Sequence, residues 1–241
     1  MNMQGKIFMQ RNSFHSLFPL FSLILLTFIF TACGGNSSSA PSAQQLIKNA
    51  QAAFSKVSAY HFNLVADNAG AGGFLVVKSA DGDTVVPDKL QANADALVLG
   101  NVVKVKIISL ADKQYVTDPI SGKWQSTSGL LDPRTLSNSK TGIVAILGLI
   151  ENPSTPTDSS IDSKPCWNIN GKLNAKDIQG ITGGGTPSNS KVDVTTCIGK
   201  SDNLPYLIRI SGIAIQGDTN KTVRTFKLSK FNENISIVAP L

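Results

Sequence analysis

The sequence is poor in the residue types that most often carry chemistry. Its 241 residues include only two histidines, three cysteines, three methionines and two tryptophans. It has no Gly-x-Ser-x-Gly elbow, no phosphate-binding P-loop and no dinucleotide fingerprint. The frameworks of many hydrolases, nucleotide-dependent enzymes and dehydrogenases are therefore missing. His15 precedes the long apolar run near the N-terminus and is removed with it on the reading given below. His61 is then the only histidine left, too few good ligands for a zinc site. It falls in an expected strand with no nucleophile beside it in sequence. The chain is accordingly read as a non-enzyme, with no catalytic residue, no metal and no cofactor. Basic and aromatic residues do not cluster together, so a nucleic-acid partner is not expected. No internal repeat is visible.

What is present begins at the N-terminus. Lys6 and Arg11 stand before Leu17–Phe30, a nearly uninterrupted apolar run, and the small residues Thr31 and Ala32 precede Cys33. A basic start, an apolar core and a small-residue cleavage site make an export signal. The run is shorter than the roughly 20 residues a spanning helix needs. Phe30-Thr31-Ala32-Cys33 resembles the bacterial lipobox, with Phe30 in place of the usual leucine. Residues 1–32 are thus expected to be a signal peptide and Cys33 the lipidated residue, anchored at the outer face of the cell membrane. Residues 33–42, rich in Gly and Ser, read as a flexible tether. Residues 43–241 are expected to form one domain. The net charge of +6 falls to about +4 once the signal is removed. That surface suits anionic headgroups, and it suits plain solubility as well.

Cys166 and Cys197 remain in an oxidising compartment, and they are not spaced as a Cys-x-x-Cys redox site. A structural disulfide is expected; two separate buried thiols are the alternative.

Hydrophobic spacing predicts a helix over Ser42–Ser58, with Ser42 as its cap and Leu46, Ile47, Ala50, Ala53, Phe54 and Val57 on one stripe. Strand patterns follow at Tyr60–Ala66, Phe74–Ser79 (ended by Asp81-Gly82-Asp83), about Gln91–Leu99, Val102–Leu110, Lys113–Thr117 and Lys123–Gln125. Val103, Val105 and Ile107 alternate with Lys104 and Lys106, which means a sheet with one dry and one wet face. Asp132-Pro133 opens a short helix. Thr141–Ile150 is apolar nearly all round and reads as a buried helix interrupted by Gly142 and Gly148. Further strands are expected at Ser163–Gly171, Lys191–Ile198, Pro205–Ile213 and Thr222–Asn232, with a short helix at Asn174–Ile181, a loop at Gly183–Pro187 and a last extended piece at Ile235–Ala239. The pattern is α+β, one long antiparallel sheet with helices gathered on one face.

The ordered set resembles the LppX/LprAFG lipoproteins. The likeness rests on the helix leading to Ser58-Ala59-Tyr60-His61-Phe62, on Ser79-Ala80-Asp81-Gly82-Asp83, on the Tyr115 strand followed by Gly122-Lys123-Trp124, on the Gly142–Pro153 segment, and above all on Lys227–Glu233 running to Ala239-Pro240. The resemblance implies a half-open β-barrel like that of the LolA/LolB carriers, a strongly curved antiparallel sheet wrapped around helices. It also implies a large apolar cavity that carries an acylated lipid or glycolipid within the cell envelope. Phe62, Leu64, Val103, Val105, Ile107, Ile143, Ile146, Leu147 and Ile150 are expected to line or edge that cavity. A monomer is expected, with a membrane through Cys33 and an envelope transporter as partners. A sensor or lipoprotein-assembly factor on the same fold is the alternative.

Overall fold

The computed structural model describes residues 40–70, 75–98, 100–128, 133–137, 142–181 and 188–240. The expected signal peptide, Cys33, most of the tether, Phe74 and the Gly183–Pro187 loop lie outside the described residues.

The domain begins with helix α1, Ala43–Phe54. The backbone N–H of Gln45 donates to Ser42 Oγ at 3.2 Å, a cap worth about 1 kcal/mol. Ala43, Leu46, Ile47, Ala50 and Phe54 are buried, the stripe that 3.6-residue periodicity places on one face. The helix stops before the expected Ser58. The Ser55 N–H still donates to the Gln51 carbonyl, but the Lys56 and Val57 N–H groups tighten to the carbonyls of Ala53 and Phe54. The Ser58 N–H donates to Asn232 Oδ1 instead, so the helical ladder ends here.

Eleven strands form one antiparallel sheet. They are β1 (Ala59–Asp67), β2 (Leu75–Val85), β3 (Lys89–Val98), β4 (Asn101–Leu110), β5 (Lys113–Thr117), β6 (Trp124–Thr127), β7 (Thr157–Ile161), β8 (Lys164–Asn174), β9 (Lys191–Gly199), β10 (Pro205–Ser211) and β11 (Val223–Ser229). Their order is β6-β5-β4-β3-β2-β1-β11-β10-β9-β8-β7. Each half of the chain is therefore a meander, and the halves join where β1 pairs with β11, from His61↔Ser229 to Asp67↔Val223. The sheet does not close; β6 and β7 remain its edges. This is the half-barrel α+β architecture.

Between the two meanders lie a short helix α2 (Pro133–Ser137) and a 3-10 helix, Ala145–Leu149; a second 3-10 helix, Ala175–Ile181, follows β8. The helix expected over Thr141–Ile150 is thus only a five-residue 3-10 turn. Gly148 lies beside the end of the Gln51 side chain, whose Nε2 would be 2.7 Å from an added Cβ. Ile150 is already extended. The expected helix at Asn174 is likewise 3-10, and Asn174 itself ends β8. Pieces this short are where 3-10 geometry is normally used.

Two strand readings change. Asp81-Gly82-Asp83 does not end β2 but lies inside it. Asp81 and Asp83 bond side chains of neighbouring strands, and Gly82 faces β3 so closely that a Cβ would come 2.1 Å from the Gln91 carbonyl oxygen. Strand β7, Thr157-Asp-Ser-Ser-Ile161, carries no apolar alternation because it is an exposed edge. The Ile235–Ala239 segment joins no strand, although Ile237 is buried.

Cys166 and Cys197 form a disulfide between the adjacent strands β8 and β9, with Cα atoms 5.5 Å apart. It is buried in a small cluster of its own with Tyr206. The Tyr206 hydroxyl donates to Asp202 at 2.7 Å. Burial and the Asp202 carboxylate push the Tyr206 pKa up to about 12, so this hydroxyl stays a donor. The bridge spans 31 positions, for which unfolded-chain entropy gives about 3–4 kcal/mol. The Cys166→Ala/Cys197→Ala variant should lose roughly that much stability in urea unfolding. A loss below about 1 kcal/mol would show that the bridge is not holding this end of the sheet.

Candidate functional site

The dry face of the sheet is uneven, and the unevenness follows from side-chain size. Cross-strand register gives rows running across β11, β1, β2, β3 and β4. One row is Leu228, Phe62, Gly82, Ala92 and Ile107. The next is Phe226, Leu64, Ala80, Ala94 and Val105. A third runs from Arg224 to Ala66, and Ala96 pairs with Val103 at its far side. Large side chains stand on β1, β4 and β11, while Gly82, Ala80, Ala92, Ala94 and Ala96 make a low floor between them. A cavity of about 110 Å³ lies over the Ala80, Ala92 and Ala94 part of that floor.

Its walls are Phe62, Leu64 and Ala66 of β1, Val77 and Ala80 of β2, Leu90, Ala92 and Ala94 of β3, Ile107 of β4, and Arg224 and Phe226 of β11. Leu136 of α2, Ile143 and Ile181 cover it from the helical side. Of the nine residues expected there, Phe62, Leu64, Ile107 and Ile143 line it. Val105 packs against the surrounding core. Val103 is half-buried on β4 outside the lining. Ile146, Leu147 and Ile150 are buried in the packed core, in the segment whose Ala145 carbonyl accepts from Gln51 Nε2 of α1. They form the back of the helical wall. The alanine floor escaped the sequence reading, although Ala92, Ala94 and Ala96 at every second position signal it.

Larger concavities lie on the wet face. A groove of about 590 Å³ runs over Asn63, Asp81, Asn93, Lys104, Lys106 and Trp124. It shares residues with a hollow of about 300 Å³ beside His61 and Gln91. The walls of the groove mix polar and apolar surface, and those of the hollow are mainly polar. His61 sits there between two carboxylates, Nδ1 2.8 Å from Asp83 Oδ1 and Nε2 3.3 Å from Asp81 Oδ2. Burial raises the Asp83 pKa, but hydrogen bonds from Gln91 and His61 outweigh it and leave the carboxyl below its ordinary value. His61 is thereby held by cross-strand partners on the face opposite the apolar cavity. Among the described residues no cluster of three or more His, Cys, Asp and Glu is placed to hold a metal ion.

Two polar features touch the dry side. Thr84 and Ser109 flank Leu90 in one row, are fully buried, and their hydroxyls have no hydrogen-bond partner among the described residues. At the other end of the face, Arg224 makes a bidentate pair with Asp218, at 2.7 and 2.9 Å. Both side chains are buried, 5% and 0% exposed. Asp218 also accepts backbone N–H bonds from Gly70, Ala214 and Ile215. Burial pushes the Asp218 pKa up, yet Arg224 and these N–H groups reverse that and hold it below the ordinary carboxylate value.

Two outcomes follow. Removing a buried hydroxyl that has no partner removes a desolvation cost, so Ser109→Ala and Thr84→Val should leave Tm unchanged or raise it by a few degrees. A fall of more than about 5 °C in either would mean that the hydroxyl is bonded. For Asp218 the folded pKa is below the unfolded one, so its stabilisation is complete above the unfolded value of about 3.8 and is lost as pH falls through the folded value. Unfolding free energy measured against pH should drop below about pH 4, and the Arg224→Met/Asp218→Asn pair should shrink that drop.

The family model "LppX_LprAFG lipoprotein" matches residues 42–237. Among solved structures, LprF from Mycobacterium bovis is similar at 19% identity and TM-score 0.66, over 84% of this chain and 98% of that one. LppX from Mycobacterium tuberculosis is similar at 18% identity and TM-score 0.60, over 81% and 98%. No match was found among curated protein sequences. With the family model covering most of the domain and the half-barrel geometry agreeing, the chain belongs to the LppX/LprAFG lipoprotein family.

Proposed function

We propose that the protein binds an acylated lipid or lipoglycan in the apolar cavity between sheet and helices and carries it within the cell envelope. The supporting observation is an apolar cavity floored by Ala80, Ala92 and Ala94, in a member of a lipoprotein family. An acyl chain exposed to water costs about 0.8 kcal/mol per CH₂. A carrier must replace the bilayer with an apolar lining, and the dry face supplies one. Anchorage at Cys33 would keep the domain near the bilayer from which a lipid loads, on the outer face of the cell membrane. An envelope transporter as partner and a monomeric state complete this reading.

The volume sets a condition on the mechanism. About 110 Å³ is less than the roughly 150 Å³ of a cavity that takes one benzene. Lipid entry therefore requires a wall to move. The ladder of the sheet resists this, whereas short 3-10 pieces carry poorer hydrogen bonds. The segments 142–150 and 175–181 are the walls that would give way.

Native mass spectrometry of the exported protein carrying Cys33→Ser tests the reading. Added lipid masses are expected. A clean protein mass, with no uptake from lipid vesicles, would sink the carrier and leave a sensor or assembly factor. Ala94→Leu fills the floor and should reduce lipid uptake at least tenfold while the far-ultraviolet circular dichroism stays native; unchanged uptake would put the lipid elsewhere. Amide exchange in 142–150 and 175–181 should be faster than in β1 and β11 and should slow on lipid loading.

A further inference from the structure

Of the fourteen residues lining the apolar cavity, thirteen are apolar and the other is Arg224. A charged residue is costly in such a wall and must be compensated. Asp218 supplies the compensation, and the accounting of donors and acceptors is uneven. The Asp218 carboxylate accepts five hydrogen bonds, two from Arg224 and three from backbone N–H groups, so its capacity is used. A guanidinium has five N–H donors in a planar fork. Two of those of Arg224 go to Asp218, and its side chain makes no other hydrogen bond among the described residues.

The pair is therefore neutral, with its acceptor saturated and its donor not. Buried N–H groups without partners carry a desolvation cost that an incoming acceptor relieves. A carboxylate would bring a second negative charge beside Asp218 without a counter-ion, and an uncompensated buried charge is strongly unfavourable. A carbonyl oxygen brings none. A plain hydrocarbon would leave the donors as they are. On these grounds, and resting on the cavity as the lipid site, we propose that Arg224 is a specificity residue that reads the neutral carbonyl of an ester- or amide-linked acyl chain and discriminates against free fatty acids.

Three probes of equal chain length separate the chemistries: methyl dodecanoate, dodecanoate and dodecane, delivered from cyclodextrin at pH 8 to the full exported chain carrying Cys33→Ser. Each competes with radiolabelled methyl dodecanoate. The ester should compete at least about tenfold better than the acid or the alkane, the scale of one hydrogen bond to a charged group. In Arg224→Met/Asp218→Asn, which removes both charges together and keeps an acceptor for the backbone N–H groups, the three should fall within about twofold of one another. Equal competition in the unmodified site, a preference for the acid, or a preference that survives in a folded double variant would each overturn the role of Arg224. In all three cases the cavity reading stands. Failure of the labelled ester to bind at all would instead strike the cavity reading itself. If the double variant does not fold, the ranking in the unmodified site decides.

Discussion

The pairing of β1 with β11 is the constraint on which the rest depends. These strands come from the two ends of the domain, and their seven register pairs turn two meanders into one sheet. The pairing puts Phe62 beside Leu228 and Leu64 beside Phe226, so the tallest side chains of the dry face stand together at the seam. It also sets Arg224 next to Ala66, at the end of the face where the Asp218 loop comes in. Closing such a long loop costs entropy that local contacts do not return. The buried aliphatic and aromatic area along the seam is what offsets it, at about 25 cal/mol per Å² removed from water.

The low floor beside the seam is a departure from ordinary packing. Cores normally fill to crystal-like density, and a strand facing a core would carry Val, Ile or Leu. β3 carries Ala92, Ala94 and Ala96 there, and β2 carries Ala80 and Gly82. Each small residue gives up burial that a larger one would provide. The protein tolerates that loss on one half of the sheet while the other half is packed with Ile169, Leu173, Val192, Val194, Ile208 and Ile210. The second half also holds the Cys166–Cys197 bridge. Stability is concentrated on one meander and space on the other.

Much of this was legible in the sequence. Period-two alternation in β4 placed Val105 and Ile107 on the dry face because Lys104 and Lys106 could not share it, and the stripe of α1 was equally plain. The misses have physical causes. Asp81-Gly82-Asp83 carries turn residues, yet cross-strand partners on β1 and β3 hold it extended. β7 has no apolar face to betray it. The Thr141–Ile150 segment has helical composition, but Gly148 interrupts it and Ile150 is already extended, which leaves one 3-10 turn. Arg224 reads in isolation as a solvated basic residue. Only the fold brings Asp218, six residues earlier, against it and turns both into part of an apolar wall.

The open sheet has a mechanical meaning. In a closed barrel, strand number and stagger fix the radius, and the interior can enlarge only by breaking ladder bonds. Here β6 and β7 are free ends of an arc. An arc can change its curvature by small, shared adjustments of twist in every strand while each hydrogen-bonded pair stays intact. The interior is thus closer to the inside of a flexed hand than to a drilled hole: its two free edges let the arc follow, with its pairs intact, when the helical segments across it shift.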